Sequence, residues 1–291
     1  MEQGVIVKGI AGFYYVKIKS GEIIECKARG KFRKRKISPL VGDRVDIQLL
    51  GDLKGSIEDI HDRTSELIRP NVANVDQAVV VFALKNPDVN YTLLNKILIV
   101  IEHHGIDAVI CLNKADLDDG EFEKIQGVYG KAGYTVIRAN ALNGDGLDEV
   151  KKCLNGKITV FAGPSGVGKS TITNRIQGNV VMETGGLSKK ISRGKHTTRH
   201  AQLIEVSDDT FILDTPGFSS MDLSFIKSNE LQYEFKEFKI GECKFTTCLH
   251  NKEIGCKIKE DVENNIIPIE RYTAYLDILK ELEEGNRRGN R

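Results

Sequence analysis

The stretch GPSGVGKS, residues 163–170, places the strongest constraint on what this chain can fold into. It matches G-x-x-x-x-G-K-[ST] and lies between the apolar run KITVFA and a helical pattern that begins at KSTITNRIQG. The glycines allow backbone N–H groups to converge on phosphate oxygens, and the N-terminus of the following helix adds the positive end of its dipole. The sequence therefore predicts a nucleoside triphosphate site at a strand-to-helix turn.

Specific roles follow for the residues of this phosphate loop and for a second motif, DTPGF at residues 214–218. The Lys169 ammonium would bridge the β- and γ-phosphates, and the Ser170 hydroxyl would coordinate Mg²⁺. Asp214 ends an apolar run, where it could hold Mg²⁺ through water, and the Gly217 N–H could contact the γ-phosphate. The loop residues expected to bind nucleotide are Gly163, Pro164, Ser165, Gly166, Val167, Gly168, Lys169, Ser170 and Thr171.

The tetrapeptide NKAD at residues 113–116 indicates which base is bound, because it has the form N-K-x-D. Asp116 could accept hydrogen bonds from guanine N1–H and N2–H₂, and a buried carboxylate left without these donors would disfavour ATP. Asn113 and Lys114 would brace this segment against the phosphate loop. Asn140 and Ala141 follow the next strand, in a short loop that could offer a backbone N–H to guanine O6. GTP is the predicted ligand; an accidental NKAD at a strand end is the alternative.

Both guanine-reading segments precede the phosphate loop, so the usual order of GTPase motifs is rotated. The sheet can still close, because domain termini lie close together and circular permutation is tolerated. Apolar strands alternate with helical patterns over residues 68–222, which predicts an α/β domain with a mostly parallel sheet covered on both faces. The segment after Asp214 leads directly into the C-terminal region. We therefore expect loss of the γ-phosphate to relax this segment and to reposition the C-terminal domain.

Residues 1–67 read as five short strands and predict a small closed barrel, either OB-like or SH3-like. Within it, KARGKFRKRK at 27–36 contains seven basic residues and Phe32. Clustered cations repel one another without an anionic partner, and Phe32 could stack on a base, so an RNA-binding surface is predicted. A solvated hairpin tip is the alternative. The predicted RNA contacts are Lys27, Arg29, Lys31, Arg33, Lys34, Arg35 and Lys36.

Residues 223–291 contain a cluster of the form C-x₄-C-x-H-x₅-C and a closing helix. Three thiolates and one imidazole make a closed tetrahedral set suited to structural Zn²⁺. Zinc could supply about 10–16 kcal/mol of folding free energy to a segment with little core of its own. Reduced, unliganded thiols are the alternative. The predicted ligands are Cys243, Cys248, His250 and Cys256.

The other cysteines and the paired histidines are expected to have structural roles only. Cys26, Cys111 and Cys153 lie in strand or helix patterns, where they would pack. His103 and His104 lie at a predicted helix end, where they would interact favourably with the helix dipole and do nothing more.

Composition limits the class of protein to which these motifs belong. The chain has 291 residues and a formal net charge of +1, so any affinity for nucleic acid must come from local clusters of charge. The sequence contains no apolar run of the roughly 18 residues that a membrane span needs, and its N-terminus does not resemble a signal peptide. We expect a cytoplasmic monomer that does not bind membranes.

Taken together, these motifs resemble those of the ribosome small-subunit-dependent GTPases, the bacterial RsgA (YjeQ/YloQ) family. The resemblance covers essentially the whole chain, and its order of motifs is specific. It implies an OB-fold barrel at 1–67, a circularly permuted GTPase domain at 68–222 and a zinc-binding domain with helices at 223–291. It also implies a role in late maturation of the 30S subunit, contact with 16S rRNA, and GTP hydrolysis that the subunit stimulates.

The segment GGLSKKISRGKHTTRH, at 185–200, lies where the first switch of a GTPase belongs. Either Thr197 or Thr198 would bind Mg²⁺ and the γ-phosphate. Phe218 occupies the position at which many GTPases place a glutamine that orients water, and a phenyl ring cannot do this. His196 is the nearest candidate for that catalytic role, and the resemblance supports it; a solvated loop histidine is the alternative. Arg199 departs from the family pattern and could alter contact with RNA.

Two other functions remain open from the sequence. The chain could be an RNA-binding assembly factor that uses GTP mainly as a structural ligand, which the phenylalanine at 218 makes credible. It could also be a signalling GTPase unconnected to RNA, although the basic stretch at 27–36 argues against this.

Overall fold

The computed structural model describes residues 1–34, 37–67, 71–183, 201–214 and 222–289. The chain folds into two compact units, each built from segments that are separate in the sequence. The first unit consists of Met1–Ala78, Asp148–Phe161 and Ser170–Phe218, and the second of Val79–Leu147, Ala162–Lys169 and Ser219–Arg291. Among the described residues, no helix has both the length and the apolar character that crossing a bilayer requires.

The N-terminal strands form a closed five-stranded barrel. Strand β1 pairs antiparallel with both β2 and β4, β2 pairs with β3, and β3 runs parallel to β5, which returns to β4. The barrel interior is filled by buried aliphatic side chains such as Ile6, Val16 and Ile57. The elements are β1 (Glu2–Ile10), β2 (Phe13–Ile18), β3 (Ile23–Ala28), α1 (Gly30–Lys34), β4 (Arg44–Gly51) and β5 (Lys54–Ile60).

The next part of the chain alternates strands and helices, as predicted. Strand β8 reads QAVVVFA and is buried at every position, which is typical of a parallel strand covered on both faces. Strand β10 pairs in parallel with β9. The elements are β6 (Glu66–Leu67), β7 (Val72–Ala73), β8 (Gln77–Ala83), α2 (Tyr91–His103), β9 (Asp107–Asn113), α3 (Glu121–Lys131), β10 (Thr135–Arg138) and α4 (Leu147–Leu154).

The phosphate loop follows β11 (Ile158–Ala162) and leads into α5 (Lys169–Glu183). Two strands come after it, β12 (Gln202–Ser207) and β13 (Thr210–Asp214). They form an antiparallel pair, and β13 runs parallel to β11. Strand β12 also pairs with β1 of the barrel, where the Lys17 ammonium contacts the Glu205 carboxylate.

The C-terminal region contains a short 3-10 helix (Leu231–Glu234), α6 (Lys257–Glu263) and α7 (Ile269–Gly289). Its small core is aromatic: the Phe235 and Phe238 rings each pack against Tyr275, with ring centroids 5.3 and 5.0 Å away. The buried Arg271 guanidinium binds the Glu237 carboxylate, with the closest atoms 2.6 Å apart. This region therefore has its own core, centred on α7.

Candidate nucleotide and metal sites

Two glycines allow the phosphate loop to pack as it does. Gly163 and Gly168 have φ of +129° and +97°, in the region that side chains disfavour. A Cβ at Gly163 would lie 2.1 Å from the carbonyl oxygen of Val81 in β8, and one at Gly168 would lie 2.2 Å from Nδ2 of Asn113. The loop therefore contacts both β8 and the N-K-x-D segment at positions that only glycine can occupy.

One buried side chain joins the three segments that the sequence assigned to the nucleotide. The Asn113 amide nitrogen donates to the Val167 carbonyl in the phosphate loop at 2.8 Å. Its carbonyl oxygen accepts from the Ala141 N–H at 2.9 Å. Asn113 therefore braces the phosphate loop as predicted. The Ala141 N–H is bonded to Asn113 and not directed at a ligand. The assignment of Asn140 and Ala141 to guanine recognition stays a prediction.

Lys114 and Asp116 are the other two fixed residues of N-K-x-D. The Lys114 ammonium donates to the carbonyl of Asn86, and its bracing of the phosphate loop stays a prediction. Lys114 has a φ of +61°, which turns the chain into a 3-10 helix over Ala115–Leu117 that carries Asp116. The Asp116 side chain is exposed, so the protein alone does not bury it. Any penalty against adenine would arise only once a base covers this carboxylate.

Lys169 lies at the start of α5 and folds back over the loop. Its ammonium donates to the carbonyls of Gly163 at 2.8 Å and Pro164 at 2.5 Å. Partial burial lowers the pKa of Lys169, and a bound phosphate would offset this shift because it favours the charged ammonium. Ser170 is exposed and Thr171 half-buried in the first turn of the helix. The loop thus presents a cation and hydroxyl groups where the sequence expects phosphates and Mg²⁺.

The catalytic prediction concerns a part of the chain that is not described. His196, Thr197, Thr198 and Gly217 lie outside the described residues. Asp214 is the last residue of β13, and its backbone pairs with Gln202. The first switch and all of the magnesium ligands, Ser170 included, therefore stay predictions.

The four predicted zinc ligands come together in one cluster. Their ligand atoms all lie within 4.8 Å of one another. Nδ1 of His250 is 3.5 Å from Cys243 Sγ and 3.4 Å from Cys256 Sγ, and these two sulfur atoms are 3.9 Å apart. Tetrahedral zinc with Zn–S bonds of about 2.3 Å places sulfur ligands about 3.8 Å apart, so the arrangement fits this ion. Cys248 completes the set, which leaves no open coordination position.

Groups around the cluster hold the histidine with one ring nitrogen towards the sulfurs. His250 Nε2 lies 2.7 Å from the side-chain oxygen of Gln232, whose amide nitrogen donates to the Asn229 carbonyl at 2.9 Å. This pairing fixes Nε2 as a donor and leaves Nδ1 as the metal-binding atom. Burial lowers the pKa of His250, which favours the neutral, metal-binding imidazole. Gln232 was not predicted from the sequence, since nothing in its neighbourhood marks it as a partner of the cluster.

The basic stretch at 27–36 differs from the prediction in one important respect. Residues Gly30–Lys34 form helix α1, and Phe32 is only 2% exposed. Phe32 belongs to the core of the barrel, so its predicted role in base stacking is wrong. Lys27, Arg29 and Lys31 are exposed, although Arg29 Nε also binds the Glu58 carboxylate at 2.9 Å. The side chains of Arg33 and Lys34, and both Arg35 and Lys36, lie outside the described part of the chain.

The residues expected to be purely structural give a mixed outcome. Cys26 and Cys111 are buried and Cys153 is half-buried, as expected of packing residues. His103 ends α2, but its Nδ1 lies 2.8 Å from the Glu234 carboxylate. The prediction that His103 only interacts with the helix dipole is therefore wrong, because it also joins α2 to the C-terminal region.

Comparison with protein families decides where this chain belongs. The family model described as RsgA GTPase matches residues 60–224, and that of the RsgA N-terminal domain matches residues 3–57. The chain belongs to the RsgA GTPase family. The resemblance inferred from the motifs is confirmed.

Known relatives of this RsgA-family chain match it over nearly its whole length. Proteins named small ribosomal subunit biogenesis GTPase RsgA are 50% identical in Clostridium botulinum (strain Hall) and 52% identical in Clostridium acetobutylicum. Each match covers 96% of this chain and 97% of the relative.

Two solved structures have the same fold as this RsgA-family chain. YjeQ from Thermotoga maritima has a TM-score of 0.85 and 34% identity, over 97% of this chain and 98% of that one. YloQ, described as a circularly permuted GTPase, has a TM-score of 0.84 and 37% identity, over 98% and 96%. The predicted fold, a small barrel followed by a permuted GTPase domain and a C-terminal Cys/His region, is confirmed.

Proposed function

We propose that this chain hydrolyses GTP in the biogenesis of the small ribosomal subunit and that the 30S subunit stimulates the hydrolysis. Membership of the RsgA GTPase family supports the reaction, and the names of the relatives support the process. The observation that carries the proposal is the position of Asn113. Its side chain joins the phosphate loop to the segment that carries Asp116, so the phosphate-binding and base-reading elements are assembled although their order in the chain is rotated.

Different residues of the site would bind the phosphates, the base and the magnesium ion. Backbone N–H groups of Gly163 and of residues 165–171, at the N-terminus of α5, would bind the phosphates, with the Lys169 ammonium between the β- and γ-phosphates. Asp116 would accept from the guanine edge. When bound, Mg²⁺ would neutralise charge that develops on the phosphates. Ser170 and Asp214, with Thr197 or Thr198, are the residues that would hold it.

For catalysis, we assign His196 the task of orienting or deprotonating the attacking water, since Phe218 can do neither. Without a partner we expect such a site to hydrolyse GTP slowly. Docking on the subunit could accelerate hydrolysis by about 10³–10⁵-fold, as activating proteins do for other GTPases.

The barrel and the C-terminal cluster have supporting roles in this proposal. The exposed Lys27, Arg29 and Lys31 would contact the phosphates of 16S rRNA, which makes binding sensitive to salt. One structural Zn²⁺ would bind Cys243, Cys248, His250 and Cys256. The protein would act in the cytoplasm as a monomer.

One rival function has a specific observation in its favour. Phe218 replaces the usual water-orienting glutamine, which would suit an assembly factor that uses GTP as a structural ligand. Such a protein would bind the subunit in a GTP-dependent way but would show no turnover on it.

The test is steady-state GTP hydrolysis by the purified protein with 30S subunits, and with 50S subunits as a control. We expect strong stimulation by 30S alone, which His196→Ala abolishes without weakening GTP binding. His200→Ala, in the same basic segment, is the matched control and should keep most of the stimulation. Absence of stimulation with GTP binding intact would favour the structural-ligand function. Stimulation that persists in His196→Ala would remove His196 from the mechanism.

A further inference from the structure

We propose that Arg138 is a positioning residue for guanine recognition, because it fixes the backbone on both sides of Asp116. The inference rests on the proposed function, since it takes Asp116 as the group that reads guanine. Arg138 is the last residue of β10 and directly precedes the loop that contains Asn140 and Ala141. It therefore stands between the two predicted guanine-reading segments.

The contacts of Arg138 hold the residue before Asp116. One terminal guanidinium nitrogen donates to the Ala115 carbonyl at 3.2 Å. The N–H of Ala115 donates to the carbonyl of Ala139 at 3.1 Å. Both backbone groups of Ala115 are thus bonded to consecutive residues at the end of β10. The backbone that enters Asp116 is fixed by these two bonds.

The same guanidinium nitrogen holds the chain after Asp116. It lies 2.9 Å from one carboxylate oxygen of Asp118. The other oxygen of Asp118 accepts from the N–H groups of Gly120, Glu121 and Phe122, at 3.2, 3.0 and 3.2 Å, as α3 begins. Asp116 therefore lies between two residues that a single side chain holds.

The exposure of the Arg138 side chain argues against a role for this residue in core packing. The Arg138 side chain is 48% exposed, whereas that of Asp118 is 5% exposed. Solvent screens the exposed end of this ion pair, and the Asp118 carboxylate keeps its three N–H donors at the start of α3 when Arg138 is lost, so we expect the pair to contribute little to global stability. The geometry of a binding carboxylate is more sensitive, since small displacements weaken directional hydrogen bonds. We therefore expect loss of Arg138 to weaken recognition of the base and to leave phosphate binding and folding nearly unchanged.

Inosine nucleotides separate base recognition from phosphate binding. Hypoxanthine lacks the exocyclic amino group of guanine, so the second hydrogen bond to Asp116 is missing. For Arg138→Met we expect the affinity for GDP to fall about threefold to tenfold and that for IDP to fall by a smaller factor, because hypoxanthine keeps only the N1–H bond to Asp116. The kcat for GTP at saturation with 30S subunits should be unchanged, so the loss should appear in KM.

The experiment measures dissociation constants of fluorescent GDP and IDP for the full-length protein and three variants. Lys124→Met is the matched control, because Lys124 binds Glu121 in the first turn of the same helix and should leave both affinities unchanged. Asp116→Asn tests the proposed function itself and should lose GDP and gain XDP, because the amide can donate to the 2-oxo group of xanthine. Circular dichroism melting confirms that each variant folds.

The outcomes distinguish the two claims. A selective fall in GDP affinity for Arg138→Met, with Lys124→Met unchanged, supports the positioning role. Equal losses for GDP and IDP, or none, would overturn it while Asp116→Asn still shows the switch to xanthine. If Asp116→Asn binds GDP normally, Asp116 does not read guanine, and both the inference and the site assignment are wrong.

Discussion

At the scale of single residues, the nucleotide site depends on Asn113 and on the glycine that it contacts. Asn113 is 3% exposed, and both ends of its amide are bonded, to Val167 and to Ala141. The absence of a side chain at Gly168 is what allows this amide to reach the loop. The N-K-x-D segment and the phosphate loop, whose order in the chain is rotated, therefore meet at this close contact.

Gly168→Ala should separate these two motifs. The new methyl group would lie 2.2 Å from the Asn113 amide nitrogen, and alanine would be strained at a φ of +97°. We expect a loss of GDP affinity of at least about tenfold by fluorescence titration. Gly178→Ala is the matched control: it lies in α5 with no atom within 4 Å of the added Cβ, so it should keep affinity and add up to about 1 kcal/mol of stability.

At the scale of elements, the sequence predicted the strands whose pattern of apolar residues matches the burial seen in the structure. The five barrel strands and the fully buried, mostly apolar β8 and β11 follow directly from their residues. Helix α1 was missed because its basic side chains suggested a solvated or RNA-binding turn. Its one apolar side chain, Phe32, is buried in the barrel core and is not available to a ligand.

The candidate sites show a similar division. Motifs of fixed spacing predicted the loop glycines and the four residues of the Cys/His cluster, because the chemistry of such sites dictates which residue types can serve. Partners that act through tertiary contact could not be predicted this way. Gln232 meets His250 only after the 3-10 helix has packed beside the cluster, and Arg138 meets Asp118 only through the parallel pairing of β10 with β9.

The Gln232–His250 contact predicts a measurable effect on metal affinity. In Gln232→Leu the imidazole Nε2 loses its buried acceptor, so we expect zinc to bind about 10- to 100-fold more weakly in competition with a chromophoric chelator. Gln232→Glu keeps an acceptor and should retain most of the affinity. Gln126→Leu, on the exposed face of α3, is the control. Equal affinity in Gln232→Leu and the wild type would contradict a role for Gln232 in the metal site.

At the scale of the whole molecule, the C-terminal region contacts α2 and α3, the helices that precede and follow β9 in the sequence. Arg271 in α7 is fully buried, binds Glu237, and donates to Asn95 in α2 at 2.5 Å. Its guanidinium also lies 5.5 Å from the Tyr129 ring in α3. The expected repositioning of the C-terminal domain after hydrolysis would have to keep or break the hydrogen bond from Arg271 to Asn95, because Glu237 belongs to the C-terminal region itself. We expect the C-terminal region to move together with α2 and α3.

Arg271→Met tests how strongly this region is held. Removing one partner leaves the Glu237 carboxylate buried without its cation, so we expect a loss of about 3–5 kcal/mol in the free energy of unfolding by urea denaturation. Lys96→Met is the control, because it breaks the Lys96–Glu281 pair between α2 and α7, in which the glutamate is exposed. It should cost about 0–1 kcal/mol. Similar losses in both variants would show that the buried pair has no special role.

The most direct test of the central claim transfers nucleotide specificity at Asp116. We would measure 30S-stimulated hydrolysis of GTP and XTP by the wild type and by Asp116→Asn. If the rotated N-K-x-D segment reads the base for the site that the subunit activates, the wild type should hydrolyse GTP alone and the variant should prefer XTP. Undiminished GTP hydrolysis by Asp116→Asn would contradict the account, because another site would then be responsible for the activity.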